Sequence, residues 1–236
     1  MAILLRYFEA QGRAQALRHL LADAAVPFED VRVTLESWPA HRGDADFAGW
    51  FGSLPTLHWG NDLIAEALPI ASYVCKRLGH YDGLSDAAIA RLEAVCSCAY
   101  MDVGLRVGET LWAEHIYPGV DLAAAVPRIL GRALDKLRRI SECLPDTGDW
   151  LGGSRPTAAD FFAAEAYELT RYALGSTRAP VLAANMPRLA AHAERVSTRA
   201  AIRAATARRP PNFSASPREV GVVERLQKLD LSSIGL

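Results

Sequence analysis

A proline stands inside the apolar stretch FGSLPTL, residues 51–57, which otherwise reads as a β-strand. Proline cannot donate to a sheet ladder, so Pro55 must occupy an edge, a bulge or a special turn, and each leaves a neighbouring backbone group free to hold a ligand. The other groups with intrinsic reactivity are four thiols: Cys75, Cys96, Cys98 and Cys143. Their spacing is not that of a disulfide framework, and residues two apart on a helix, such as Cys96 and Cys98, point to different faces. Zinc wants four convergent ligands. The thiols therefore read as reduced and structural, with no bound metal.

The chain of 236 residues is enough for one large domain or two small ones. Its 26 Lys plus Arg oppose 27 Asp plus Glu, so the balance carries neither a nucleic-acid nor an anionic-membrane footprint and favours a small or neutral partner. The opening MAILLRYFEAQGR turns polar too soon for a signal peptide, and no apolar run approaches the roughly 18 residues of a membrane span. A soluble, cytoplasmic protein is expected, without membrane or nucleic-acid partners.

Several elements must position Pro55. Residues 2–8 (AILLRYF) suit a buried strand, 12–26 carry apolar residues at helical spacing, and 28–35 (FEDVRVTL) alternate with period two. This is a βαβ unit with parallel strands. After the polar, aromatic loop ESWPAHRGDADFAGWFG, the segment LPTLHWGNDLIA predicts a hairpin about WGND, followed by a helix, EALPIASYVCKRLG, closed by Gly79. Beyond the linker HYDGLS, alanine-rich segments 85–115, 121–144, 157–174 and 187–207 all have helical periodicity. In the third, Thr157-x-x-Asp160 is a capping-box signature. The expected fold class is α/β plus all-α: residues 1–79, a linker at 80–84, a helical bundle at 85–207, and a C-terminal extension at 208–236. That extension begins proline-rich and ends in an amphipathic piece.

This order, β-α-β-β-β-α followed by helices with Pro at the start of the third strand, resembles the cytosolic glutathione S-transferases, whose N-terminal domain is thioredoxin-like. YFEAQGRAQALRHLL, FGSLPTL and WLGGSRPTAADF each match a family segment, over a span of about residues 2–207. A tyrosine at position 7 makes the tyrosine-type classes, sigma-like ones especially, the nearest. The resemblance implies a cis Leu54–Pro55 bond, with Leu54 pairing backbone to backbone with the cysteinyl part of glutathione. It implies that Tyr7 donates its phenol O–H to the glutathione sulfur, with Arg13 adding positive charge beside it. Phe8 would line the wall near the sulfur, and Trp38 and Arg42 would hold the glycine end. Phe51 would plug into a partner subunit, giving a two-fold homodimer. Ordinary packing is the alternative for Trp38 and Phe51, a buried strand tyrosine satisfied by backbone for Tyr7, and a solvated helix-end cation for Arg13.

One pair departs from the family pattern. Where its members carry Glu or Gln followed by Ser, this chain has Glu66-Ala67, so a charge-assisted hydrogen bond to the γ-glutamyl carboxylate is missing, worth roughly 1.5–3 kcal/mol. The Ala67 N–H and the helix dipole remain for the anion. Glu66 is a candidate for the γ-glutamyl ammonium and Asp102 a weaker one, solvated charge being the alternative for both. The electrophile pocket is expected between Tyr7, the turn ending at Gln11 and the first long helix of the second half, where Tyr100, Met101 and Leu105 can share a face; core packing is the alternative for each. The tail would fold back as a lid or hang free. The implied function is a dimeric glutathione transferase conjugating glutathione, as co-substrate, to a small hydrophobic electrophile. A noncatalytic relative with weakened glutathione contacts, or an isomerase or peroxidase using the same cradle, are the alternatives.

Overall fold

The structure is a computed structural model describing residues 2–112, 117–147, 150–207 and 217–236. Four strands form one mixed sheet in the order β2-β1-β3-β4. Strand β1 (Ile3–Phe8) lies parallel to β2 (Glu29–Val33) and antiparallel to β3 (Thr56–Trp59), which makes a hairpin with β4 (Asp62–Ala65). The parallel pair follows from the intervening helix, and the hairpin from the WGND turn, where Gly60 takes a positive φ of 67°. Along β1 burial alternates, so Ile3, Leu5 and Tyr7 enter the core while Arg6 and Phe8 lie on the other face.

Helix α1 (Gln15–Asp23) starts later than periodicity indicates, because Gly12 has φ +38° and Gly12–Ala14 form a tight 3₁₀ turn instead. The segment read as a loop holds two one-turn helices, α2 (Trp38–His41) and α3 (Ala45–Ala48), the second capped by the Asp44 carboxylate accepting from Asp46 N–H at 2.9 Å. Four residues are too few to register as a periodic pattern. Helix α4 (Ala67–Arg77) ends at Gly79, whose φ of 67° closes it as expected.

Among the described residues the regular elements of the second half are helices, beside one isolated bridge between Trp150 and Gly153. The expected single helix over 85–115 is α5 (Asp86–Ser97), a π-helical segment at Cys98–Gly104, and α6 (Leu105–Leu111); residues 113–116 lie outside the described residues. Helix α7 (Leu122–Cys143) follows. Helix α8 (Ala158–Asn185) runs past the expected end at 174, bending at Gly175, where φ is 74°. The capping box at its start forms: the Asp160 carboxylate accepts from Thr157 N–H at 2.8 Å. Residues 187–207 split into α9 (Pro187–Ser197) and α10 (Ala200–Thr206). The Ser197 and Thr198 hydroxyls both donate to the Glu194 carbonyl, and side-chain bonds of this kind compete with helix continuation.

The described end of the tail does not hang free but folds back onto the helical half. Helix α11 (Pro217–Lys228) packs on α8 and α6, with Leu226 and Leu231 buried. Arg178 of α8 donates to the carbonyls of Leu226, Gln227 and Leu229, and the Gln227 amide fills the space that the missing Cβ of Gly175 leaves. The two halves pack together through α1 and α8 and are tied by an ion pair between Arg199 and Asp23.

Candidate active site

Tyr7 is 8% exposed, at the end of β1. Its hydroxyl accepts the backbone N–H of Arg13 at 3.0 Å. Burial pushes its pKa up, opposed by that bond and by the charges of Arg13 and Arg18. The residue is thus a neutral phenol at physiological pH, and with its lone pair engaged by Arg13 its proton is left to donate. The glycine at position 12 is a steric requirement: a Cβ there would lie 2.5 Å from the Tyr7 Oη.

The Leu54–Pro55 peptide is cis. The last β1–β3 pair is Arg6 with Thr56, so one further step along the ladder sets Tyr7 against Pro55. The backbone of Tyr7 and the proline junction are therefore neighbours at the same sheet end. On the other side of that junction Glu66 N–H donates to the Pro55 carbonyl at 3.1 Å, and the Ser53 hydroxyl donates to the Glu66 carboxylate at 2.8 Å. Glu66 has φ +72°, an unfavourable conformation for a residue with a side chain, and it delivers the chain into α4. Ala67, the first residue of α4, is buried; with Pro69 lacking an N–H, the first turn offers donors from Ala67 and Leu68.

Aromatic rings run outward from Tyr7. Phe8 meets it edge-on at 5.5 Å between centroids, and Trp38 meets Phe8 at 5.4 Å. Arg42 is exposed on the loop beyond, its carbonyl near Gly52. Trp50 and Phe51, at 82% and 70% exposure, present two aromatic rings side by side in sequence to solvent.

On its inner side Tyr7 opens onto a cavity of about 450 Å³. Its walls are Gly12, Arg13 and Ala16 below, Tyr100, Leu105 and Trp112 from the π segment and α6, and Phe162, Ala166 and Leu169 from α8. Tyr100 stands edge-on to Phe162 at 6.1 Å, and burial pushes its pKa to about 12, so it too is a neutral phenol. Three charged residues, Arg13, Glu109 and Glu165, interrupt the apolar lining.

The sequence-derived residues divide as follows. Tyr7, Arg13, Tyr100 and Leu105 line the cavity, and Leu54, Pro55, Glu66 and Ala67 cluster at the adjacent sheet end. Met101 does not face the cavity; the π segment alters the register of the helix here and leaves Met101 48% exposed. Gln11 lies outside the cavity wall too, buried with its carbonyl accepting from Ala14 N–H and Arg18. Asp102 is half-buried in the π segment near Cys98. The α8 wall was missed by sequence reasoning, although Phe162, Ala166 and Leu169 stand at helical spacing.

Residues 123–195 match the family model for the glutathione S-transferase C-terminal domain. A glutathione S-transferase P of Caenorhabditis elegans is 26% identical over 163 residues, covering 68% of this chain and 73% of its own length. Hematopoietic prostaglandin D synthase of Gallus gallus is 29% identical over 206 residues, 87% of this chain and 96% of that protein. A Nu-class transferase structure from Haemonchus contortus superposes with a TM-score of 0.72 at 25% identity, over 89% of this chain and 97% of its own. With the sheet order, the cis junction and the helical second half described above, these likenesses support a member of the cytosolic glutathione S-transferase family.

Proposed function

We propose that this glutathione S-transferase joins the sulfur of glutathione to a small hydrophobic electrophile, with Tyr7 as the catalytic residue that stabilises the thiolate. The observation that carries this reading is the 3.0 Å bond from Arg13 N–H to the Tyr7 hydroxyl, which engages the phenol oxygen as an acceptor and leaves its proton to donate to a ligand. Glutathione would lie along Leu54, whose backbone N–H and C=O suit the cysteinyl unit, with its γ-glutamyl end at Glu66 and the α4 N-terminus and its glycine end toward Trp38 and Arg42. Asp102 of a partner subunit is a further candidate for the γ-glutamyl ammonium.

A free thiol has a pKa near 8.5 and is mostly protonated at neutral pH. A phenol O–H donated to the sulfur favours the thiolate, and the positive charge of Arg13 adds to that preference. The thiol proton leaves to solvent, the sulfur lone pair forms the new C–S bond, and the electrophile's leaving group departs with the electrons of the bond that breaks. The apolar cavity beyond Tyr7 holds the electrophile and excludes water from the sulfur.

The exposed Trp50–Phe51 pair supports assembly as a homodimer. Ala67 favours a second reading, a noncatalytic relative that kept the scaffold with weakened glutathione contacts, because the buried site at the start of α4 lacks a side-chain hydroxyl. Retention on immobilised glutathione, together with conjugation of a generic aryl halide that is lost in Tyr7→Phe, supports the enzyme. Binding of hydrophobic dyes with neither activity supports the second reading.

A further inference from the structure

Beside the cavity at Tyr7 lies a second one of about 580 Å³, between α6 and α7. The loop Tyr117–Val120 lines its open side, and Ala125 and Ile129 of α7 give it apolar walls. Arg128 and Arg132, four residues apart on α7, and Arg106 of α6 also line it. None of these three guanidinia makes an ion pair or a side-chain hydrogen bond among the described residues. The lining carboxylate, Glu109, accepts the Tyr117 hydroxyl at 3.0 Å and does not pair with Arg106, although the two are three residues apart on one helix. Among the described lining residues, three positive charges thus face one negative one.

The two cavities share Glu109 and Tyr117 as wall residues and so adjoin at this hydrogen-bonded pair. We infer that the acceptor substrate is an amphipathic acid: its electrophilic, apolar part sits over Tyr7 and its carboxylate passes Tyr117 to reach Arg106, Arg128 and Arg132. Arginine suits this role because its planar donor fork binds a carboxylate through two parallel bonds. The apolar floor at Ala125 and Ile129 accommodates the methylene chain that joins the two ends. This inference rests on the conjugation proposed above but assigns a different set of residues, none of which is needed to form the thiolate.

The test uses two matched acceptors, a chloronitrobenzene bearing a carboxyalkyl chain and its methyl ester, assayed with glutathione on the full chain. The expected result is a KM about 10-fold lower for the acid than for the ester, as one lost charge-assisted hydrogen bond gives. This preference should shrink with added salt and vanish in Arg128→Ala/Arg132→Ala, while kcat on a plain aryl halide and the melting temperature stay unchanged. Equal KM values in the wild type, or an acid preference that survives in the double variant, overturn the anion site. Turnover of neither acceptor counts against the conjugation itself, and calorimetry then decides the anion site alone. Decanoate should bind about 10-fold tighter than decanol to the wild type and equally to the double variant; equal binding to the wild type refutes it.

Discussion

The backbone N–H of Arg13 points at the Tyr7 hydroxyl from 3.0 Å, so the first turn after β1 and the last inward-facing residue of β1 form one hydrogen-bonded unit. The acceptor side of the phenol is satisfied inside the protein and its proton remains for a ligand. Removing that proton in Tyr7→Phe should cost about 100-fold in kcat/KM, the scale for loss of one donor to a developing or stabilised anion. In the proposed mechanism Tyr7 lowers the pKa of the bound thiol, so its loss should raise that pKa. The acidic limb of the pH–rate profile must then move to higher pH, while glutathione affinity measured by calorimetry stays within a few-fold. A profile that does not move would remove Tyr7 from the chemistry.

Gly12 should tolerate no side chain while Tyr7 is present. An added Cβ would lie 2.5 Å from the Tyr7 Oη and 2.9 Å from Cε1, at a backbone φ of +38° that disfavours alanine even in open space. Gly12→Ala is expected to lose about 1–3 kcal/mol of stability and most of the activity. In a Tyr7→Phe background the closest contact is gone, so a double-mutant cycle on denaturation midpoints should show a coupling of about 0.5 kcal/mol or more. Strict additivity would mean that the ring moves freely aside.

Ala67→Ser should tighten glutathione binding. The side chain at this position is buried at the first residue of α4, beside the backbone N–H groups that favour an anion. A hydroxyl donated to the γ-glutamyl carboxylate would contribute roughly 1.5–3 kcal/mol, or about 10- to 100-fold in Kd. Calorimetry with glutathione reads this directly. An unchanged Kd would place the γ-glutamyl group away from α4.

Of the four thiols, Cys143 is exposed and Cys98 half-buried, whereas Cys75 and Cys96 are buried. Burial raises the pKa of Cys75 to about 11 and that of Cys96 well above its ordinary value. Thiolate is the reactive form, so near neutral pH a disulfide reagent should modify Cys143 first, Cys98 more slowly, and Cys75 and Cys96 only on unfolding. Quantitation of released chromophore before and after denaturant checks this order. Fast modification of Cys75 in the native state would contradict it.

Much of this architecture was legible in residue patterns. The alternation in AILLRYF, the WGND turn and Gly79 each encode a local choice whose physics is short-range, and the structure follows them. The sheet end that joins Tyr7 to Pro55 was legible through the family pattern, since a lone proline in an apolar run equally marks an edge strand. The rest depends on tertiary contacts. The π-helical geometry of Cys98–Gly104 breaks the α-helical spacing, and Met101 within it is exposed and outside the cavity wall. The wall made by Phe162 and Leu169 depends on how α8 packs against α6, and the docking of the tail depends on Arg178 finding carbonyls about 50 residues away.

Asp160 and His192 set a pH dependence that neither would give alone. The Asp160 carboxylate accepts from Thr157 N–H at 2.8 Å and Leu151 N–H at 2.9 Å, and His192 Nε2 lies 3.6 Å from it, with both side chains fully buried. Burial lifts the Asp160 pKa to about 6 and lowers that of His192 to about 4. A carboxyl group whose native pKa exceeds its unfolded value stabilises the fold below the unfolded value and loses that contribution as pH rises through about 6. A histidine whose native pKa is depressed does the reverse: its contribution is complete above roughly 6.5 and is lost as pH falls through about 4. Between about 4 and 6 the two trends oppose each other, so this pair leaves the stability of the wild type nearly flat there. His192→Phe should therefore become more stable on acidification from pH 6 toward pH 4, relative to wild type, by up to about 1.4 kcal/mol per pH unit. Asp160→Asn should fall over the same window, in addition to losing roughly 1–3 kcal/mol at all pH values as the Leu151 or Thr157 N–H goes unpaired. Urea midpoints across the window separate the slopes, and parallel curves for wild type and both variants would show that neither group changes its proton occupancy on folding.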